Sequence, residues 1–597
     1  MAAAVVDLDS LKEKYAQERN KRLRPDAADQ YRQVDEGVLH HYADDPYTEP
    51  VTRDPILDRE CDFLVIGAGF TGQLVAIRLL MAGITDICIV DKAGDFGGTW
   101  YWNRYPGAAC DVESYIYLPL LEETGYMPSE RYAKGPEIFA YAKRLAAHYG
   151  LYEKALFQTE VLKLEWNEQE KLWIVSTNRG DRLRAKFVAS TSGPLHKPKL
   201  PGVKGIDTFA GHSFHASRWN YQYTGGDATG GLHKLQNKCV GIVGTGATAI
   251  QVVPHLAAAA KHLYVFQRTP STVSERLDGP TDPEWVASLT PGWQQRRMDN
   301  FNAITSLGHE DEDLVQDGWT AIFREIARLH SEAPAMPLDD AIQLADVARM
   351  EQIRARIDRV VNDPVTANNL KPWYSIFCKR MCFHDDYLQT FNRPNVTLVD
   401  TAGEGIERVT PAGIVAQGEE YKLDCIIFAT GFDVAGGLQH NAVSEIRGRH
   451  GRTLQEHWAE GPRLFHGLLS HGFPNCFFVG PVQTGLGANV IHMLNEQARH
   501  VAYIVAEARS RQNARTVEVS AEAEENWVQM VVEVARSREK YWKECTPGFF
   551  NHEGKLDSKT LKRGIFGGGA LAFLKLKEDW KREGKLAGLE LDGSRSS

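Results

Sequence analysis

Phe63-Leu64-Val65-Ile66-Gly67-Ala68-Gly69-Phe70-Thr71-Gly72 sets an apolar run directly against three glycines spaced G-x-G-x-x-G. The run reads as a buried strand, and Leu74-Val75-Ala76-Ile77-Arg78-Leu79-Leu80 after it reads as a helix. A second apolar run, Ile87-Cys88-Ile89-Val90, ends in an acid, Asp91. Each part has a job in holding a dinucleotide. Gly67 makes the tight turn, Gly69 lets backbone approach a pyrophosphate, and Gly72 lets helix and strand pack closely. The helix start at Phe70 offers unpaired N–H groups and a positive dipole end to phosphate. Asp91, 24 positions past Gly67, can accept hydrogen bonds from ribose hydroxyls.

The pattern returns once, with one charge reversed. Cys239-Val240-Gly241-Ile242-Val243 reads as a strand, and Gly244-Thr245-Gly246-Ala247-Thr248-Ala249 follows as G-x-G-x-x-A. The next strand, His262 to Phe266, ends not in an acid but in Gln267-Arg268-Thr269-Pro270. An acid there would repel a ribose phosphate, whereas a guanidinium pairs with one in a bidentate fork. The two units are therefore expected to hold different nucleotides, NADPH in the second. An acid-terminated first unit with a late return strand suggests FAD in the first.

Composition bounds the remaining classes. A chain of 597 residues exceeds one core, so two or three domains are expected. With 43% apolar and 24% charged residues it reads as an ordinary globular protein. A net charge of −10 disfavours a nucleic-acid partner. No apolar run approaches the ~18 residues of a spanning helix, and the start lacks a signal-peptide pattern, so no membrane association is expected. Nine cysteines, scattered without pairing motifs, fit a reduced, cytoplasmic setting. No metal site is expected, and a monomer or weak homo-oligomer is.

The fold expected is α/β: two Rossmann-like, three-layer dinucleotide-binding domains, the NADP domain inserted in the FAD domain, with a helical insertion. Residues 1–58 read as an N-terminal extension strapped over the surface. The first part of the FAD domain spans 59–200, ending in the proline-rich Lys197-Pro198-Lys199-Leu200-Pro201, read as a linker. The NADP domain follows at 201–275, a helical insertion without motif at 276–368, and the rest of the NADP domain at 369–390. The FAD domain returns at 391–510, and 511–597 form a C-terminal excursion.

Two dinucleotide units imply electron transfer between two redox cofactors. Such a pair can reduce a disulfide, hydroxylate through a flavin peroxide, or oxidise a ketone. A disulfide reductase wants C-x-x-C near the flavin, and the closest cysteines, Cys378 and Cys382, have three residues between them. That favours an oxygenase.

Two further motifs carry a resemblance. Gly97-Gly98-Thr99-Trp100-Tyr101-Trp102-Asn103-Arg104-Tyr105-Pro106-Gly107-Ala108-Ala109-Cys110-Asp111 resembles the G-G-x-W…Y-P-G…D pattern of the Baeyer–Villiger monooxygenases. Phe209-Ala210-Gly211-His212-Ser213-Phe214-His215-Ala216-Ser217-Arg218-Trp219-Asn220 matches that family's fingerprint at Phe209, Gly211, His215 and Trp219. It departs at Ala216, where threonine is usual, and at Asn220, where proline or aspartate is usual. The tail, with Cys545 to Asn551 and Gly567-Gly568-Gly569-Ala570, resembles the branch acting on large cyclic, polycyclic or steroid ketones.

The resemblance implies an NADPH-dependent flavin monooxygenase that inserts one atom of O2 next to a ketone carbonyl through a C4a-peroxyflavin, giving an ester or lactone. It implies FAD contacts from Gly67, Gly69, Phe70, Gly72, Asp91, Thr99, Trp100, Tyr101, Trp102, Asp111, Tyr117 and Val161. NADPH contacts are implied for Gly244, Thr245, Gly246, Ala247, Thr248, Ala249, Gln251, Arg268 and Thr269, with Lys379 assisting at the 2′-phosphate. Arg380 and Asp111 are the implied catalytic pair, the carboxylate orienting the guanidinium beside the flavin. The reacting oxygen is anionic, and one preorganised donor of this kind typically contributes about 3 kcal/mol. His215 is expected to act as a structural hinge and Trp219 to pack. Two alternatives stay open: a flavin monooxygenase oxidising nitrogen or sulfur, and a nucleotide-binding scaffold without turnover.

Overall fold

A computed structural model of the chain describes residues 7–34, 37–433, 443–511 and 514–592. It has α/β architecture built on two main sheets, the first mixed and the second parallel. Phe63, Leu64, Val65 and Ile66 are buried at the centre of the first, because a strand covered on both faces needs an unbroken apolar run. That strand, Leu57–Ile66, pairs in parallel with Ile87–Val90 on one side and Arg182–Ser190 on the other. On its other edge Arg182–Ser190 serves two more partners. Its first half pairs antiparallel with Leu172–Thr177, and its second half runs parallel to Cys476–Phe478. Val161–Asn167 extends the antiparallel wing, and Glu445–Arg447 closes it by pairing in parallel with Val161–Asn167.

The turn after Ile66 shows why glycine is needed at Gly72. A Cβ there would sit 1.8 Å from the Gly67 carbonyl oxygen, so any side chain would push the helix Phe70–Met81 off the sheet. The helix Val490–Ser510 packs across it, burying Ala498, Val501 and Val505 in the same core.

The second sheet is wholly parallel, in the order Val396–Asp400, His262–Gln267, Cys239–Val243, Cys425–Phe428, His212–His215. This corrects the expected return of the first unit at residue 391. Val396–Asp400 and Cys425–Phe428 complete the second sheet, and the first resumes only at Glu445–Arg447. An apolar strand advertises burial and not its neighbours, so these runs carry no local sign of which sheet they join.

The helical insertion belongs to neither unit alone. Met298 and Phe301, on Trp293–Thr305, join the core of the first sheet. Ile322 and Ile326, on Gly318–Glu332, and Met350 and Ile353, on Leu338–Val360, join the core of the second.

The extension does more than strap the surface. Asp7 caps the helix Leu8–Asn20 through its carboxylate. Beyond it Tyr31–Gln33 pairs antiparallel with Lys199–Pro201, so the expected linker is an edge strand. One cysteine expectation is also overturned. Cys378 and Cys545, 167 residues apart, form a disulfide that fastens the C-terminal excursion to the segment just before Lys379. No spacing rule foretells a pair made by tertiary proximity. Among the described residues no helix is long and apolar enough to cross a membrane.

Candidate active site

One cavity of about 860 Å³ runs between the two units. Gly67, Gly69, Phe70, Asp91, Thr99, Trp100, Trp102, Tyr117 and Val161 line its first-unit side. The Asp91 carboxylate accepts the backbone N–H groups of Ala68, at 2.5 Å, and Ala93, at 2.7 Å. It therefore fixes the glycine turn and keeps further lone pairs for a ribose. Trp100 donates its indole N–H to the Tyr117 hydroxyl at 2.9 Å, which locks two cavity walls together.

Two expected contacts on this side are placed elsewhere. Gly72 packs behind the turn. Tyr101 is buried away from the cavity, its hydroxyl donating to Asp45 at 2.6 Å while its ring packs edge-on against Trp102. In a four-residue helix, Thr99–Trp102, successive side chains cannot all face one way, and Tyr101 takes the inner face.

On the second-unit side Gly244, Thr245, Gly246, Ala247, Thr248, Gln251, Arg268, Thr269, Lys379 and Arg380 line the cavity. Ala249 does not; it is buried one turn into the helix Ala247–Ala259, in the core behind. Thr245 donates its hydroxyl to the Thr269 carbonyl at 2.8 Å, tying the glycine loop to the strand end that carries Arg268. Gln251 joins the two units. It accepts from the Tyr105 hydroxyl at 3.0 Å and donates to the Ala109 carbonyl at 2.8 Å. Gly107, at φ +79°, lies where a Cβ would come 2.6 Å from the Gln251 carbonyl oxygen, so the Y-P-G turn can approach this helix only with glycine there.

The fingerprint runs along this seam. His215 ends the strand His212–His215, buried beside Phe432, and burial with the nearby Arg218 charge pushes its pKa down to about 3. A neutral, buried imidazole whose Nδ1 meets Ser217 at 2.8 Å fits a structural joint and not a base. Asn220 accepts from the Tyr223 backbone N–H at 3.0 Å, capping Tyr221–Thr224, so the departure from proline or aspartate keeps a working N-cap.

Arg380 and Asp111 are brought together as expected. Arg380 donates from Nε to the Asp111 carboxylate at 3.1 Å, with its side chain 52% exposed toward the cavity. Loss of solvation alone would lower the guanidinium pKa, but the Asp111 charge more than reverses it, and the net direction is up. The group stays cationic.

Sequence reasoning missed what holds Asp111. Arg276 donates from NH2 to its other oxygen at 3.0 Å, and Trp319 donates its indole N–H to the Asp111 backbone carbonyl at 3.1 Å. Both come from the motif-free stretch 276–368, so the insertion braces the carboxylate that holds Arg380. Charge-assisted bonds to a buried group are worth about 1.5–3 kcal/mol each, so Arg276→Met is expected to slow oxygenation about tenfold or more. Steady-state kinetics with an unchanged KM for NADPH is the expected pattern, and full activity would remove the bracing role.

The Arg268 end of the cavity is richer than expected too. Lys199, Arg24, Gln30 and Tyr31 line the cavity near Arg268, and Arg22 donates to the Arg268 carbonyl and the Thr269 hydroxyl at 3.1 Å each. Nothing in the sequence of the extension or linker signals that they reach this site. The donor set suits two dinucleotides. Two helices start at glycine turns with cavity-facing N-termini, an acid ends the corresponding strand in one unit, and a cationic cluster ends it in the other. Among the described residues no cluster suited to a metal ion is found.

Residues 64–313 match the family model described as pyridine nucleotide-disulphide oxidoreductase. The chain is 51% identical to a Baeyer–Villiger monooxygenase of Stachybotrys chlorohalonatus, over 98% of this chain and 95% of that one. Its structure resembles the polycyclic ketone monooxygenase of the thermophilic fungus Thermothelomyces thermophila, with a TM-score of 0.90, 39% identity and coverage of 98% and 99%. It also resembles OTEMO in complex with FAD and NADP, with a TM-score of 0.72, 29% identity and coverage of 90% and 100%. Paired nucleotide cradles, a bridging fingerprint and a guanidinium held by a carboxylate thus agree with near-complete coverage at high identity: this chain belongs to the Baeyer–Villiger monooxygenase family.

Proposed function

We infer that the chain uses NADPH and O2 to insert one oxygen atom beside the carbonyl of a cyclic ketone, bulky and polycyclic in its preferred substrates, giving a lactone or ester. The observation that carries this reading is the Arg380–Asp111 pair, opening onto the one cavity that both nucleotide cradles share. FAD, when bound in the first cradle, supplies the electron relay between the nicotinamide and O2.

The chain's own residues do the rest. The helix starts at Phe70 and Ala247 hold the pyrophosphates, Asp91 a ribose, and Arg268 with Lys379 the 2′-phosphate. Asp111 positions Arg380, whose fixed positive charge faces the negative charge that builds on oxygen as the carbonyl is attacked. The apolar Leu486, Ile491 and Leu494 wall the cavity and help exclude water from this charge. Likeness to a polycyclic ketone monooxygenase supports the bulky substrate class. Dependence on NADPH supports a cytoplasmic setting.

The test is to supply NADPH, O2 and a panel running from cyclohexanone to a steroid ketone. Lactone formation coupled to NADPH consumption, fastest for the bulky members, is expected. Abundant sulfoxide from a thioether with no lactone would transfer the chain to nitrogen or sulfur oxidation. NADPH consumption unmoved by any substrate would favour a scaffold.

A further inference from the structure

An acid stands inside the cationic cradle that the nucleotide phosphate needs. Glu553 Oε2 accepts from Arg268 NH2 at 3.1 Å, and Oε1 accepts from the Tyr31 hydroxyl at 3.2 Å. The side chain is only 6% exposed, yet it lines the shared cavity with Lys199 and Lys379. Burial by itself would raise its pKa, but the charges of Arg268, Lys199 and Lys379 outweigh that and hold it below the usual glutamate value. Glu553 is therefore a buried carboxylate among three cations. The other terminal nitrogen of Arg268, NH1, donates to Gln30 Oε1 at 2.5 Å. Both arms of the guanidinium fork are thus occupied by groups of the protein itself.

The backbone that presents Glu553 is held at a cost. His552 and Glu553 both lie in the left-handed region, at φ +50° and +57°, where side-chain-bearing residues are disfavoured. The arm is anchored at its base by the Cys378–Cys545 disulfide and by Lys379, which donates from Nζ to the Pro547 carbonyl at 3.1 Å. Lys379 thus touches the arm and the phosphate cradle at once. A ribose 2′-phosphate and a carboxylate cannot share one guanidinium fork without like-charge repulsion.

We propose that Glu553 is an internal stand-in for the 2′-phosphate: it neutralises the cradle before nucleotide arrives, and NADPH binds by taking its place on Arg268 and releasing the arm that carries it. This rests on the reading that Arg268 and Lys379 receive that phosphate. Glu553 then sets nucleotide specificity by competition. It weakens NADP⁺ binding, because the phosphate must displace it, and leaves NAD⁺ binding alone, because a bare ribose makes no claim on the fork. Released, the arm also withdraws Phe549 and Phe550 from the cavity wall they line.

Equilibrium dialysis of NADP⁺ and NAD⁺ against the full-length, FAD-loaded protein tests this. Glu553→Gln keeps the shape and the hydrogen bond to Tyr31 but removes the charge. Loss of a charge-assisted competitor is expected to tighten NADP⁺ binding about tenfold and leave NAD⁺ unchanged. Unchanged or weaker NADP⁺ binding overturns the proposal. Hydrogen exchange on the wild-type protein is a second measurement that needs no variant. Amides of residues 546–554 are expected to exchange faster with NADP⁺ bound, and equal or slower exchange overturns the proposal. Arg268→Ala separates the two layers. If it weakens NADP⁺ selectively while Glu553→Gln has no effect, only the stand-in role falls. If it weakens NADP⁺ and NAD⁺ alike, the phosphate reading falls and the stand-in role with it.

Discussion

Arg380→Ala leaves flavin reduction by NADPH running and stops lactone formation. The expectation follows from where charge develops. Hydride transfer from the nicotinamide needs the two cofactors aligned, and the cradles that align them are built from the glycine turns, Asp91, Thr245 and Gln251, none of which leans on Arg380. Attack on the carbonyl instead concentrates negative charge on oxygen, in a cavity to which the Arg380 guanidinium is half exposed and in which Asp111 fixes it from behind. Removing one preorganised donor typically costs about a hundredfold to a thousandfold in rate. Alanine removes the charge as well as the donor, so oxygenation is expected to fall by at least that much. Anaerobic bleaching of the flavin by NADPH measures the first half-reaction, and product chromatography measures the second. Arg380→Lys is expected to recover part of the loss, because the charge returns without the planar fork that Asp111 grips. Lactone formation retained in the alanine variant would remove Arg380 from the chemistry. Loss of flavin bleaching would make it a cofactor-positioning residue instead.

What the sequence revealed and what it hid divide along one physical line. Dinucleotide cradles are local: strand, glycine turn and helix start lie within about a dozen residues, and some of their glycines answer a nearby steric demand, as Gly72 does against Gly67. Phe70, Asp91, Gly244 and Arg268 could therefore be placed before any fold was seen. Arg276 could not, because its partner Asp111 is 165 residues away and its own neighbours form no pattern. Glu553, reaching Arg268 across 285 residues, was hidden for the same reason. So was Tyr31, brought to the site only by the pairing of Tyr31–Gln33 with Lys199–Pro201. Tyr101 and Ala249 failed differently. A motif names a stretch, but which of its side chains faces inward depends on the local helix phase. The strands at 396–400 and 425–428 show the same limit at the level of topology: their strand pattern was legible and their sheet was not.

Arg268→Ala raises the KM for NADPH far more than that for NADH. The guanidinium stands at the end of the strand His262–Gln267, where the first unit has Asp91, and the reversal of charge at this position is what separates the two cradles. Only NADPH has a 2′-phosphate to engage it, and charge-assisted hydrogen bonds are worth about 1.5–3 kcal/mol, which sets a loss of about tenfold to a hundredfold or more for NADPH. NADH makes no such contact, so its KM is expected to hold, and the ratio of the two constants, not either alone, is the measurement. Lys379 adds a pH signature to the same cradle. Burial, reinforced by the Arg268 charge, draws its pKa down to about 8. Its positive charge is present below that pH and fades as pH rises through it, so NADPH binding should weaken on the alkaline side while NADH binding stays flat. Lys379→Met is expected to abolish that slope and Arg268→Ala to preserve it, because arginine does not titrate in this range. Equal losses for both nucleotides in Arg268→Ala would mean that the charge reversal supports the fold of the loop and does not read the phosphate.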